Sequence, residues 1–406
     1  MPQMQHRSDI LSRITTYAIA IAIVLGIAFI GNQPLQAQSY SVLYSFTGGA
    51  DGAYPFAPLV LDFAGNLYGT TEYGGTSQHG AVFKLNTGGT ESVVYSFTVS
   101  GDGQYPFAGL VWDFAGNLYG TTQYGGAFGN GTVFKVDRNG TETVLYSFTG
   151  GADGANPRAH LTRDIAGNLY GTTYYGGSGS CVQGCGVVFK LDKNGNETVL
   201  YSFTGGADGS NPSGLIQDWA GNLYGTTSNF GSSGFGTIFK LSKDAKETVL
   251  YRFTGSGDGA YPVAPLAFDL VGNLYGTTQY GGVCCGTVFK LTKEGKEIVL
   301  YEFTGGQDGA QPLSGLVLDL AGHIYGTTYW GGTANAGTVF QVNENGTESI
   351  LHSFAGGEDG AYPYAGLAMD IFGNLYGTTQ YGGGNSIGGA SGFGTVFKLT
   401  RPSTIP

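Results

Sequence analysis

The sequence predicts an all-β fold, a seven-bladed β-propeller of four-stranded antiparallel blades, and three observations carry that expectation. First, the unit Gly-Asn-Leu-Tyr-Gly-Thr-Thr, or a close variant, recurs seven times, with its tyrosine at Tyr68, Tyr119, Tyr170, Tyr224, Tyr275, Tyr325 and Tyr376. A spacing of 50 to 54 residues marks repeated supersecondary units rather than separate domains. Second, 74 glycines without a three-residue period, beside 27 tyrosines and 25 phenylalanines, point to tight turns between short aromatic strands. Third, the repeats begin on an outer-type strand, Val42 to Phe46, and end on a third strand, Thr395 to Leu399. Residues 41–47 are therefore expected to complete the blade of residues 365–400, closing the ring so that only short, protected edges remain.

The second unit shows how each blade is built. Leu110-Val111-Trp112 is the first strand and Asn117 to Thr122 the second, joined by Asp113-Phe114-Ala115-Gly116, whose Asp and Gly favour a tight turn. Gly131 to Val136 is the third strand, and Asp137-Arg138-Asn139-Gly140 turns it into the fourth, Glu142 to Phe148. In that fourth strand Val144, Tyr146 and Phe148 alternate with Leu145 and Ser147, the period of two of a pleated strand.

The propeller is expected to occupy residues 38–400, with a short tail at 401–406. Ahead of it, Arg7 and Arg13 precede an apolar run from about Tyr17 to Ile30, then Pro34 and Ala37, the layout of a signal peptide spanning residues 1–37. The competing reading is a retained anchor; the run is shorter than the roughly 20 residues that span a bilayer. Removing residues 1–37 takes away Arg7, Arg13 and Asp9, turning the net charge of −11 into −12. A nucleic-acid partner is not expected, because phosphate binding needs a basic face. No membrane partner is expected after cleavage, and a monomer is.

Loop lengths point to a working face. From the third-strand phenylalanine to the fourth-strand one the interval is 14 residues in all six cases, from Phe83 to Phe97 through Phe340 to Phe354. From the unit tyrosine to the third-strand phenylalanine it runs from 14 to 21 residues, so length change sits in the loop joining second strand to third. Protruding loops tolerate insertion and often carry function. The connection between blades shares that face and holds a second recurrent element, Gly-Gly-x-Asp-Gly-x-x-Pro, with aspartates Asp51, Asp102, Asp153, Asp208, Asp258, Asp308 and Asp359. One carboxylate per blade would form a ring of candidate ligand-binding groups; the plainer expectation is that each Asp-Gly organises its own turn. No cofactor is demanded by the sequence. A channel ion such as calcium is the alternative the ring raises, although roughly six to eight oxygens must meet at one point.

Aromatic residues crowd the same face. Tyr73, Tyr124, Tyr175, Tyr280, Trp330 and Tyr381 follow the unit tyrosine by five residues, with Asn229 there in the fourth blade, and Tyr54, Tyr105, Tyr261 and Tyr362 precede the connection prolines. Such rings suit stacking on sugars or gripping a peptide, and equally suit wedges between blades. Departures from the repeat, Trp330 and the long loop from Gly382 to Gly394, are the sharper candidates. The four cysteines all lie in second-to-third loops. Cys181 and Cys185 are spaced to close a small loop. Cys284 and Cys285 are adjacent, with Cα atoms about 3.8 Å apart, below the usual disulfide range, so cross-linking between the two loops stays open, as does a zinc site from all four thiolates.

No catalytic set is recognisable: His79, His160, His323 and His352 stand at different repeat positions, and paired carboxylates, a Gly-x-Ser-x-Gly elbow and metal-binding His pairs are missing. The unit Asp-x-x-Gly-Asn-Leu-Tyr-Gly-Thr-Thr-x-Tyr-Gly-Gly, followed by Gly-Thr-Val-Phe-Lys-Leu and Glu-Thr-Val-Leu-Tyr-Ser-Phe, resembles the GloVer tandem repeat of exported bacterial proteins across all seven units. The resemblance implies export and a propeller-like repeat rather than an activity. Family members often carry an anchoring segment after the repeats, whereas Arg401 to Pro406 shows no apolar tail, so anchoring there is not expected. Function is accordingly expected to be that of a secreted, periplasmic or cell-surface binding module for a glycan or protein. The alternative is an extracellular carbohydrate- or lactone-active hydrolase or lyase using the aspartate ring.

Overall fold

In the computed structural model, residues 39–98, 101–231, 234–384 and 392–400 are described; the expected signal peptide and the tail lie outside them. Tyr40–Leu399 forms one compact unit. It holds seven antiparallel sheets, each of four strands in the order first, second, third, fourth, and the fourth blade adds a short strand, Ser210–Pro212. In blade 2 the strands are Val111–Trp112, Leu118–Thr122, Thr132–Val136 and Glu142–Ser147, within a residue or so of the expected bounds.

Closure follows the expected route. Ser39–Ser45 pairs with Thr395–Thr400 and becomes the outer strand of blade 7. Tyr40 fastens it: its ring stacks on His352 at 3.7 Å and its hydroxyl donates to the Asp359 carbonyl at 2.6 Å.

The recurrent motif is a hydrogen-bond unit. Asp113 Oδ1 accepts from the Ala115 and Asn117 amides at 2.9 Å, and Oδ2 from Asn117 Nδ2 at 2.8 Å and Tyr119 Oη at 3.0 Å. Gly116 sits at φ 83°, a conformation that glycine adopts without steric cost. Burial works to raise the Asp113 pKa, and the hydrogen bonds from Asn117, Tyr119 and Ala115 outweigh it and hold it below its ordinary value. In blade 6 His323 replaces the asparagine, its Nδ1 lying 2.8 Å from Asp319 Oδ2.

The core lies between blades. The fourth-strand phenylalanine of one blade meets the third-strand phenylalanine of the next edge-on: Phe97 on Phe134 at 5.0 Å, Phe148 on Phe189 at 5.1 Å, and across the closure Phe46 on Phe83 at 5.1 Å. All six are fully buried. Gly171 pairs with Phe189 across the strands, and a Cβ there would stand 2.5 Å from the Phe189 ring, which is why the unit reads Tyr-Gly-Thr. The simple period of two in the fourth strand is corrected. A register shift between Val133 and Phe134 skips Leu145, so that Leu145 and Tyr146 both pack against the core, as a bulge that adds a residue to one strand requires.

Candidate functional site

Two segments shape the mouth of the ring axis. The double threonine ends the second strand in blade 1, and two residues follow it, Glu72, which lines the axial cavity, then Tyr73. The connection arriving from the preceding blade lies against it as a strap, bridging Ala53 to Tyr73, with the Glu72 amide donating to the Tyr54 carbonyl at 3.1 Å. The strap residue before each proline has a positive φ between 53° and 57° in all seven blades, at Tyr54, Tyr105, Asn156, Asn211, Tyr261, Gln311 and Tyr362. A non-glycine residue there is strained, and the strap hydrogen bonds hold it.

Behind the prolines the chain turns down the axis. The next residue in every blade, Phe56, Phe107, Arg158, Ser213, Val263, Leu313 and Tyr364, lines an axial cavity of about 620 Å³, joined by Glu72, Gln123, Tyr174 and Ser228 at the ends of the second strands. That volume suits a small organic ligand. The wall is lopsided. Phe56, Phe107 and Tyr364 form an aromatic cluster with centroids 5.0 to 5.5 Å apart. Facing them, the Arg158 guanidinium lies 4.5 Å from the Tyr174 ring, a cation–π arrangement. With the Gln123 amide oxygen turned towards it, Arg158 donates from Nε at 3.0 Å and Nη2 at 2.7 Å. Burial pushes the Glu72 carboxyl up to about 7, against the opposing pull of Arg158, so it holds a proton at mildly acid pH. Burial lowers the His160 pKa, leaving a neutral imidazole on the wall.

Above the cavity runs an aromatic arc. Tyr124, Tyr105, Tyr73, Tyr54, Tyr381, Tyr362 and Trp330 follow one another with centroid separations of 6.1, 5.0, 6.0, 5.3, 5.9 and 4.6 Å. It crosses blades 2, 1, 7 and 6 without a gap. On the other side Tyr280 meets Tyr261 at 6.0 Å and Gln311, and Tyr175 lies beside Tyr174 and Arg158. The arc ends where Asn156, Asn211 and Gln311 replace the strap tyrosine.

The structure places the seven recurrent aspartates elsewhere. Asp102 Oδ2 accepts from Tyr95 Oη at 2.6 Å and the Thr98 amide at 2.9 Å. Asp51, Asp153, Asp208, Asp258 and Asp308 repeat this with Tyr44, Tyr146, Tyr201, Tyr251 and Tyr301, and Asp359 with His352 at 3.1 Å. They fasten strap to outer strand, none lines the cavity, and the carboxylate that reaches the axis is Glu72. Cys181–Cys185 and Cys284–Cys285 are disulfides, so each pair closes within its own loop. Among the described residues no three His, Cys, Asp or Glu side chains converge on one point. Residues 385–391 of the long loop fall outside the described residues.

Phe56, Glu72, Arg158, Tyr174 and Tyr364 escaped the sequence reading. For Phe56, Arg158 and Tyr364 a signal was present between the copies: in a chain whose blades otherwise repeat, the residue after the strap proline differs in nearly every one.

Comparison with known proteins agrees with this architecture. The family description of the Gloeobacter/Verrucomicrobia repeat matches residues 32–183 and 178–390. The chain belongs to this family. No curated protein matches it. Among solved structures, streptogramin B lyase is similar over 90% of this chain and 98% of its own, at 14% identity and a TM-score of 0.61. The extracellular domain of an assigned hybrid two-component system from B. thetaiotaomicron is similar over 88% of this chain and 39% of its own, at 12% identity and 0.57. A protein assigned as a 6-phosphogluconolactonase from Bacteroides uniformis is similar over 77% and 88%, at 18% identity and 0.51. These likenesses are of fold.

Proposed function

We propose that this Gloeobacter/Verrucomicrobia repeat protein is an exported binding module that holds a carbohydrate at the mouth of its axial cavity. The observation that carries the reading is the unbroken seven-ring arc from Tyr124 to Trp330 bordering a cavity that is also lined by fixed polar groups. Sugars present apolar C–H faces and a rim of hydroxyls. Aromatic rings cover the first, while Arg158, Gln123, Glu72 and Asn211 face the second. Export is supported by the family's character and by two disulfides, which persist in oxidising compartments.

The test is a glycan array probed with the purified chain, followed by titration of the best glycan into the Trp330→Ala variant. Selective binding by the parent chain, lost in the variant at unchanged thermal stability, supports the reading. A blank array, or equal binding by both, removes it in favour of a protein ligand.

Hydrolase or lyase chemistry on a carbohydrate or lactone is a second reading, favoured by one observation: a carboxyl of pKa about 7 and a fixed guanidinium that acts on it electrostatically line the same cavity. Such a pair combines a general acid tuned to neutral pH with an anion-stabilising group. The fold shared with a lyase does not carry activity across. Turnover of polysaccharides or lactones that Glu72→Gln abolishes without unfolding establishes it, and absent turnover ends it.

A further inference from the structure

The face opposite the mouth carries a feature that ligand binding does not use. Each first-to-second-strand turn has the form Asp-x-x-Gly, and the residue after the aspartate stands at the tip. It is Phe63 and Phe114 in blades 1 and 2, Ile165 and Trp219 in blades 3 and 4, and Leu270, Leu320 and Ile371 in the rest. All seven are large and apolar, and all are between 83% and 107% exposed. Single exposed apolar residues are ordinary; the same exposure at every one of seven equivalent points is not. Val271 and Phe372 extend the rim beside two of the tips and are also exposed. The tips of blades 1 and 2 approach one another: Phe63 and Phe114 lie 6.2 Å apart, with Trp112 at 4.9 Å from Phe63. Leu270 and Leu320 border a shallow cleft of about 290 Å³ between blades 5 and 6.

The turn does not need these side chains. Asp113, Ala115, Asn117 and Tyr119 make its hydrogen bonds, and Phe114 takes no part in them. A serine there would serve the turn as well.

We infer that this ring of apolar tips seats the propeller on a phospholipid surface. Three points select that occupant. Apolarity and large size are constant around the ring while shape is not: in blade order the tips are Phe, Phe, Ile, Trp, Leu, Leu and Ile. A folded protein partner rewards fitted shapes at its buried core, whereas the edge of a bilayer rewards apolar area alone. Next, the sevenfold repeat sets the tips at one level, as a plane requires. Finally, every lysine of the chain lies at the lower end of a third strand or in the turn that follows it, from Lys84 to Lys398, on this same face. The third-strand lysines Lys84, Lys190, Lys240, Lys290 and Lys398 lie over tyrosine rings. The stems of the turn lysines Lys193, Lys243, Lys246, Lys293 and Lys296, by contrast, can lie along apolar surface with the ammonium at the level of lipid phosphates. The turn aspartates of this face are occupied by their own turns, and lysines and carboxylates together leave no large net positive charge. Apolar insertion therefore leads, and phosphate contact is secondary. Among the described residues no helix is long and apolar enough to cross a membrane, and a seat on the surface needs none. It would turn the sugar-binding mouth away from the lipid.

The experiment uses the full purified chain with vesicles of phosphatidylcholine, alone and mixed with phosphatidylglycerol. Expected is co-sedimentation with both compositions that survives high salt, together with a blue shift of tryptophan emission, since Trp219 is fully exposed without lipid. The triple variant Phe63→Ser, Trp219→Ser, Leu320→Ser should partition at least about tenfold more weakly with its melting temperature and glycan titration unchanged. Three outcomes overturn the inference: no vesicle binding by the parent chain, equal binding by the triple variant, or binding that high salt abolishes. Sedimentation velocity without lipid covers the remaining occupant. A dimer of the parent chain that the triple variant lacks would make this face an interface between two copies and would also overturn it.

Discussion

Between the blades the same side chains meet at every interface, whereas on the axial wall no two blades present the same pair. Phe148 on Phe189 is repeated, almost to the ångström, by Phe203 on Phe239 and Phe303 on Phe340. The residues after the strap proline and after the double threonine instead run Phe56 with Glu72, Phe107 with Gln123, Arg158 with Tyr174, Ser213 with Ser228, and onwards without recurrence. Repetition therefore encodes the scaffold, and departure from repetition encodes the site. If that division holds, changes at the interfaces move stability and leave ligand affinity alone, and changes at the wall do the reverse.

The largest effect is expected at an interface. Phe189→Ala removes a fully buried ring from the layer shared with Val133, Phe148 and Leu161, and should cost about 3 to 5 kcal/mol. Denaturant unfolding measures the cost. Glycan affinity of the protein still folded should equal that of the parent; a lowered affinity would show that interface and wall are coupled and would break the comparison.

The interfaces also set the dependence of stability on pH. Glu91, Glu142, Glu197, Glu297 and Glu348 begin the fourth strands, and burial first, then a neighbouring strap aspartate, pushes each carboxyl up to about 7. A raised carboxyl pKa means that the folded state holds more protons than the unfolded chain between 4.5 and about 7, so stability falls as pH rises through that window. The lower-turn aspartates act oppositely. Asp62, Asp113, Asp164, Asp218 and Asp269 are held below 3.8, and their contribution is present above 3.8 and lost on acidification. Melting temperature should therefore peak at about pH 4 to 5 and decline towards pH 8, and Glu142→Gln should shallow the decline. A flat profile above pH 5 would show that these glutamates are solvated.

How much of this was legible follows from the same division. The turn from Asp113 to Tyr119 and the 14-residue spacing between phenylalanines are local or recur at fixed intervals, so they read directly as turn and blade. The closing strand was legible because an orphan outer strand and a blade lacking one complete each other. Glu72 and Arg158 were not read, because nothing within a single repeat distinguishes a residue after Thr-Thr or after a proline from any loop residue, and the variation after the proline shows only when the copies are compared. Only closure of the ring carries them to the axis. The recurrent aspartates left two roles open, because a carboxylate repeated in every blade serves a ring of ligand groups or a repeated turn alike, and the bonds of Asp102 to Tyr95 and Thr98 are those of the turn. Leu145 and Tyr146 looked like alternation because a bulge leaves no mark on composition.

A smaller effect should follow at the wall. Arg158→Lys keeps the charge and loses the planar fork that stacks on Tyr174 and donates twice to Gln123, so the two residues are not interchangeable there. Affinity should drop about tenfold, roughly 1.4 kcal/mol, with no change in melting temperature. A lower melting temperature at full affinity would reassign Arg158 to the scaffold.

The smallest expected difference is the sharpest, because it compares two copies of one repeat position. Tyr73 and Tyr280 are 41% and 40% exposed, and each meets its own strap tyrosine, Tyr54 or Tyr261, at 6.0 Å. By repeat position, exposure and distance to their own strap tyrosine they match. Only Tyr73 continues into the arc, through Tyr105 at 5.0 Å on one side and through Tyr54 to Tyr381 at 5.3 Å on the other. Tyr73→Ala should therefore weaken glycan binding about three- to tenfold, in keeping with an aromatic contact of about 0.5 to 1.5 kcal/mol, and Tyr280→Ala should leave it unchanged, both read by calorimetric titration. Equal losses would mean that the ligand answers to the repeat and not to the arc, and a loss confined to Tyr280 would move the binding edge to blades 5 and 6.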